Sequence, residues 1–130
     1  MTDLDLAKLQ LNTYTKVPDG EIIDQGIDRA VITRQPGLTV VSIRGTVNPK
    51  QWISDFRIRG VRSTEHPQIG VCEEGFLAGA EALFPAINSA VTGDVIIQGH
   101  SRGAGMVPIL AAMLTLDGLP PSRCVMWEAP

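Results

Sequence analysis

The stretch from Asp94 to Met113 constrains this chain more than any other. An apolar, β-branched run, Val95-Ile96-Ile97, feeds Gly99-His100-Ser101-Arg102-Gly103, and a small-residue apolar run of helical character follows directly. The pattern is a strand, a tight elbow and a helix. A serine at such a turn sits in strained φ/ψ, so the residues two before and two after it must be nearly free of side chain, a need that Gly99 and Gly103 meet. The turn also puts Ser101 at the N-terminus of the next helix, where N–H groups without an intrahelical acceptor can stabilise an oxyanion. Acyl transfer is the chemistry these features point to. The bland alternative is a Gly-rich strand-to-helix connection with an incidental serine, and the flanking strand and helix patterns weigh against it.

The 130 residues suit one domain, 1–130, large enough for a real core but short for a complete α/β enzyme. Hydrophobic residues make up 44% and charged residues 19%, which excludes a disordered chain. A net charge of −3 argues against a nucleic-acid partner, and the one basic cluster, Arg57, Arg59 and Arg62, reads as a solvated edge. Cys72 and Cys124 show no zinc or redox spacing, so free buried thiols are expected, with no metal and no organic cofactor. The N-terminus carries acids where a secretory signal needs a basic and then an apolar segment, so a cytoplasmic chain is the default expectation. The longest apolar stretch, about Met106 to Leu116, is too short to be a transmembrane segment.

Thr2 or Asp3 can cap a first helix through about Tyr14, ended by the turn Val17-Pro18-Asp19-Gly20. Ala30–Thr33 reads as a strand, Gln35-Pro36-Gly37 as a turn, and Leu38–Arg44 as a more buried strand. Asn48 and Pro49 open a short helix through Trp52 to Phe56, and a polar strand is expected near Ile58–Arg62. Ser63 to Gly75 reads as loop. Phe76, Ala80, Leu83, Phe84, Ile87 and Val91 recur at three and four, giving an amphipathic helix over 75–91 that Pro85 should kink or break. The helix from about Arg102 to Leu116 contains Pro108, another expected irregularity, and Cys124–Trp127 is a last strand. Alternating strands and helices predict a three-layer α/β fold, a mainly parallel sheet with helices on both faces.

Several of these stretches together resemble the fungal-type, class-three lipases of the α/β-hydrolase superfamily. Val40–Thr46 is similar to that family's strand ending in Arg-Gly-Thr, Trp52–Phe56 to its Trp-x-x-Asp helix, Gly75-Phe76 to its Gly-Phe segment, and Gly99–Gly103 to its nucleophile elbow, in order over roughly residues 28–130. The resemblance implies Ser101 as nucleophile, the backbone N–H of Arg102 as one oxyanion donor, and Thr46 as the other. It implies an acyl-ester or lipid substrate. Two departures stand out: Arg102 replaces the family's usual leucine, and Glu73 or Glu74 falls where the family often has a histidine. The Arg102 side chain has two courses open, solvent or an anionic group such as a phosphoester or carboxylate near the acyl site. His100, inside the elbow, reads as a packing or hydrogen-bonding residue, and His66 precedes the nucleophile, against the fold's order of serine, acid, histidine. Arg44 with Asp55 reads as an ion pair supporting the Thr46 loop, and Trp52 and Trp127 as core or crevice wall.

No histidine follows His100 in these 130 residues, and a serine hydroxyl without a base is a poor nucleophile. The fold therefore reads as truncated after the strand that follows the nucleophile helix. The leading expectation is a lipase- or esterase-like serine hydrolase whose triad acid and histidine lie on a missing segment or a second chain. The alternatives are a catalytically inactive hydrolase fold used as a binding or assembly module, and a small self-sufficient esterase with His66 or another base.

Overall fold

A computed structural model of the chain describes residues 1–46 and 59–128. In chain order these form α1 (Asp3–Asn12), β1 (Glu21–Gln25), β2 (Asp28–Gln35), β3 (Leu38–Ile43), β4 (Gly60–Arg62), β5 (Val71–Glu73), α2 (Glu74–Ala90), β6 (Asp94–His100), α3 (Arg102–Leu116) and β7 (Arg123–Trp127). The expected helix over Trp52–Phe56, the Arg44 partner Asp55 and the basic residue Arg57 lie outside the described residues.

The main sheet has the order β1-β2-β3-β6-β7. One half of it is parallel, β3 beside β6 beside β7, while β1, β2 and β3 form an antiparallel meander. The sheet is thus mixed, with the parallel strands where the elbow sits. The hairpin of β2 and β3 turns at Pro36-Gly37 as its sequence predicts, with Gly37 at φ 73°. β1 has no counterpart in the sequence reading. Its Glu-Ile-Ile-Asp-Gln segment buries only Ile23, so it carries almost no apolar alternation. The loop expected over 63–75 likewise holds β5, which pairs with β4 as a separate two-stranded ribbon.

Side-chain alternation along the strands assigns the layers. Val41, Ile43, Val95 and Ile97 face Leu83, Ile87, Leu110 and Met113 of α2 and α3 in one core, while Val40 and Ile96 on the opposite sheet face meet Leu6 of α1. Each fully buried Leu or Ile of this kind stabilises by about 1.5–3 kcal/mol. Helices therefore cover both faces. α1 starts in a capping box, with the Asp5 N–H donating to Thr2 Oγ1 at 3.1 Å and the Thr2 N–H donating to the Asp5 carboxylate at 2.9 Å.

α2 and α3 each continue through their proline, Pro85 and Pro108. Both prolines lie on exposed positions, so the ring projects outward and the buried faces of the helices keep their packing. The two thiols are free, yet the expectation that both are buried is corrected: Cys72 is half-buried and Cys124 is exposed on β7. Cys124 occupies an outward position of a strand that packs only one side, which its apolar neighbours Val125 and Trp127 disguise in the sequence. Among the described residues, no helix is long and apolar enough to cross a membrane.

Candidate active site

β6 ends at His100 and α3 begins at Arg102, leaving Ser101 alone in the turn at φ 54° and ψ −118°. That conformation is rare for a residue with a Cβ and persists only where surrounding structure enforces it. The enforcement is visible. The Ser101 N–H donates to the Trp127 carbonyl at 3.0 Å, and the Gly105 N–H donates to the Ser101 carbonyl at 3.2 Å. A Cβ on Gly99 would overlap the Gly103 carbonyl, and one on Gly103 would overlap the Ile43 carbonyl. The elbow glycines are thus pressed against each other and against the end of β3.

The same compression brings the β3 end to the serine. Ile43 stands opposite Gly99 in the parallel ladder, so the chain leaving β3 emerges beside the elbow, at the carboxyl ends of the strands. A Cβ on Gly45 would lie 2.6 Å from the His100 carbonyl oxygen and 3.3 Å from Ser101 Cβ. Thr46, the next residue, is half-buried. The first N–H groups of α3, that of Arg102 among them, have no acceptor within the helix. Ser101, the Thr46 segment and the start of α3 are therefore gathered at one point.

The Arg102 side chain follows neither course expected of it. It is 8% exposed, and its Nε and Nη2 donate to the Asp28 carboxylate at 3.1 and 3.4 Å. Nη2 also donates to the Gly75 carbonyl at 3.2 Å. Arg102 thus ties the elbow to β2 and to the first turn of α2, and it is unavailable to solvent or to a substrate anion. Its partner lies 74 residues earlier, beyond the reach of any local pattern. Glu73 also has a role that its sequence position did not disclose. Its carboxylate accepts the N–H groups of Gly75 at 2.9 Å and Phe76 at 2.8 Å, capping α2 with an anion at the positive end of the helix.

His100 hydrogen-bonds, as its place in the elbow suggests. Its Nδ1 lies 2.7 Å from the Tyr14 hydroxyl and its Nε2 3.2 Å from Glu128 Oε2. Tyr14 was not singled out by any sequence pattern. It follows α1, and its hydroxyl also accepts the Gly45 N–H at 2.9 Å. Two further tethers join α1 to the sheet behind the elbow: Gln10 Nε2 donates to the Ile43 carbonyl at 2.8 Å, and Gln98 Nε2 donates to the Leu6 carbonyl at 2.9 Å. Trp127 donates its indole N–H to Gln98 Oε1 at 2.9 Å, which makes it a wall with a polar anchor. An open, mostly apolar cavity of about 260 Å³ lies between α1 and the end of β7, bordered by Leu11, Tyr14, His100, Trp127 and Glu128. Ser101 does not line it.

His66 packs its ring edge-on against Phe84 of α2, with centroids 5.3 Å apart, and its backbone N–H donates to Ser63 Oγ at 3.0 Å. These contacts belong to the loop before β5. Among the described residues, no group of three or more His, Cys, Asp or Glu side chains is arranged to hold a metal ion.

With this geometry established, three comparisons bear on the chain. The model of the family described as lipase (class 3) matches residues 40–127. A secreted mono- and diacylglycerol lipase of Fusarium solani is 33% identical over 89 residues, covering 62% of this chain and 26% of the relative. The structure of the Rhizomucor miehei triacylglyceride lipase superposes with a TM-score of 0.69 at 19% identity, over 97% of this chain and 62% of the lipase. A triacylglycerol lipase whose catalytic centre is formed by a serine protease triad superposes with a TM-score of 0.72 at 19% identity, over 95% of this chain and 61% of that one. The chain thus spans about a quarter of the curated relative and about three fifths of these solved structures, whose likeness shows a shared α/β-hydrolase fold.

Proposed function

The chain belongs to the class 3 lipase family, and from that premise we propose that it carries the nucleophile and oxyanion half of a serine hydrolase acting on acyl esters. The observation that carries this reading is Ser101 at φ 54° between two compressed glycines, with Gly45 and Thr46 led to its side. Strain of this kind exposes a serine side chain at the top of the sheet and aims it away from the backbone.

In the proposed reaction Ser101 Oγ attacks the ester carbonyl carbon while its proton passes to a general base. The carbonyl π electrons move to oxygen, and the resulting oxyanion is received by the backbone N–H of Arg102 and by Thr46. Collapse breaks the bond to the alcohol oxygen, which takes the proton from the base. Water then attacks the acyl-enzyme by the reverse sequence, releasing the acid and restoring Ser101. The fold's order places an acid and then a histidine after the serine, and no histidine follows His100 in these 130 residues. The base and its acid are therefore assigned to a segment beyond these residues or to a second chain. The lipase relatives favour a lipid or other acyl ester as substrate. No metal or organic cofactor is required by this scheme.

One observation favours the second reading, an inactive hydrolase fold used for binding. The histidine nearest Ser101 has both ring nitrogens engaged, by Tyr14 and by Glu128. Fluorophosphonate labelling read by intact mass separates the two. The chain is treated alone, with imidazole as a free base, and together with any polypeptide that copurifies, each beside Ser101→Ala. An adduct that appears only with added base or partner, and is lost in the alanine variant, is the expected result. Fast labelling of the chain alone would move the base into these 130 residues. No labelling under any condition would leave a binding module.

A further inference from the structure

Tyr14 joins two segments that acyl transfer would need at a fixed spacing. Its hydroxyl accepts the Gly45 N–H at 2.9 Å, one residue before Thr46, and meets His100 Nδ1 at 2.7 Å, one residue before Ser101. We propose that Tyr14 is a positioning residue, a clamp whose single oxygen sets the distance between the Thr46 donor and the nucleophile elbow. The role rests on the acyl-transfer reading above, since only an oxyanion needs both donors at one spacing.

Three features support a directed clamp over incidental contact. First, the hydroxyl is used in both senses. The Glu128 carboxylate only accepts, so Nε2, 3.2 Å from Glu128 Oε2, carries the hydrogen, and in the neutral ring Nδ1 then accepts the Tyr14 hydrogen while the Tyr14 oxygen accepts from Gly45. Second, the approach is possible only at a glycine. A Cβ on Gly45 would lie 2.5 Å from the Tyr14 oxygen as well as against the His100 carbonyl and Ser101 Cβ, so the clamp, the β3 exit and the elbow share one contact point. Third, the tyrosine is held from behind. The ring sits edge-on to the His100 ring, centroids 5.8 Å apart, and α1 is fastened to the same strand ends by Gln10 on the Ile43 carbonyl and by the Leu6 carbonyl on Gln98. An oxyanion donor acts through its position before the reaction begins, so a clamp that fixes that position contributes to rate without touching substrate.

Tyr14→Phe removes the oxygen and leaves the ring. Amide exchange at Gly45, the nitrogen resonances of His100 and the rate of fluorophosphonate labelling at Ser101 in the presence of imidazole are compared with the parent chain, together with the urea midpoint. Expected are exchange at Gly45 faster by at least about tenfold, loss of the single His100 tautomer, and labelling slower by about tenfold to a hundredfold, below the ~10²–10³ for deleting a donor outright. The urea midpoint should fall modestly, because the N–H of the buried Gly45 loses its acceptor, while unfolding stays a single cooperative transition. His100→Asn, which keeps an acceptor near the Nδ1 position, should label within about threefold of the parent, whereas His100→Leu should resemble Tyr14→Phe. Equal labelling of Tyr14→Phe and the parent overturns the clamp. A parent chain that never labels overturns the acyl-transfer reading and, with it, the clamp's service to an oxyanion; Gly45 exchange then decides the tie alone, which unchanged exchange in Tyr14→Phe overturns and faster exchange sustains as a purely structural contact.

Discussion

Ser101 is held where a side chain is unwelcome, and the strain is measurable. A non-glycine residue at φ 54°, ψ −118° stores about 1–3 kcal/mol, which a glycine at the same position would release, less about 0.5–1 kcal/mol for the extra freedom of the unfolded chain. Ser101→Gly should therefore stabilise the chain by about 1 kcal/mol in urea denaturation, whereas Ser101→Ala, which keeps the Cβ, should leave it near the parent value. Equal stability of the two variants would place the strain elsewhere. Tyr14 offers a second reading at this scale. Burial pushes its hydroxyl above the ordinary tyrosine value of about 10, with Glu128 adding to the shift and the Gly45 N–H and Arg44 opposing it. Below that ordinary value both folded and unfolded chains keep the proton and the contribution is complete. As pH rises through it the unfolded chain ionises first, binds fewer protons than the native one, and stability falls until the folded value is passed. Tyr14→Phe should lack this alkaline slope in denaturation midpoints taken across that range, and Tyr14 is the only tyrosine, so ultraviolet titration reads it without interference. Ser101, Gly99 and Gly103 were legible in the sequence because the elbow is a local pattern with a steric cause. Tyr14 was not, since its partners Gly45 and His100 lie 31 and 86 residues away and its helix carries no signal for either.

Between elements, the elbow is bonded to its surroundings by an ion pair where the family usually has leucine. The side chains of Arg102 and Asp28 are 10% and 9% exposed, so removing one partner strands a buried charge and should cost about 3–5 kcal/mol. Arg102→Leu and Asp28→Leu should each destabilise by that order in equilibrium unfolding. The double replacement Arg102→Leu with Asp28→Leu should recover most of the loss, because an apolar pair needs no desolvation to be repaid. A double-mutant cycle with no coupling would mean that the Gly75 carbonyl, not Asp28, is the partner that matters. This element-level wiring explains what pattern reading reached and what it missed. α2 was placed by apolar spacing at three and four, α3 by the small-residue apolar run that follows the elbow, and β3 and β6 by their buried β-branched runs. β1 escaped because an edge strand with one buried residue has no period to detect, and the Arg102 pairing escaped because burial of a charge depends on a partner supplied by another strand.

At the scale of the whole molecule the sheet has two edges of unlike character. β1 exposes Glu21 and Asp24, paired with Arg34 at 2.9 Å and Arg29 at 2.7 Å, so strong charges discourage another strand from pairing there. β7 pairs with β6 alone among the described residues and shows Met126 at 50% exposure beside exposed Cys124, with Arg123 its one charge, ion-paired to Asp3. The alternation of strands and helices announces this α/β layering from the sequence, but which strand ends at an open edge follows only from the strand order. An apolar strand with free backbone donors and acceptors is a template for another chain. The 130-residue chain should accordingly self-associate through β7 as concentration rises, and Met126→Lys should weaken that association by at least about tenfold in sedimentation velocity. Ile22→Lys on β1 is the control and should leave it unchanged, because that edge is already protected by charge. If the two lysines act alike, association does not depend on the edge and arises from apolar surface in general, such as Leu4 and Leu11 on the outside of α1. If only Met126→Lys acts, association runs through the β7 edge, and on the proposal that a second chain supplies the base the variant should also reduce base-dependent labelling of Ser101 in any copurified complex while sparing labelling with free imidazole.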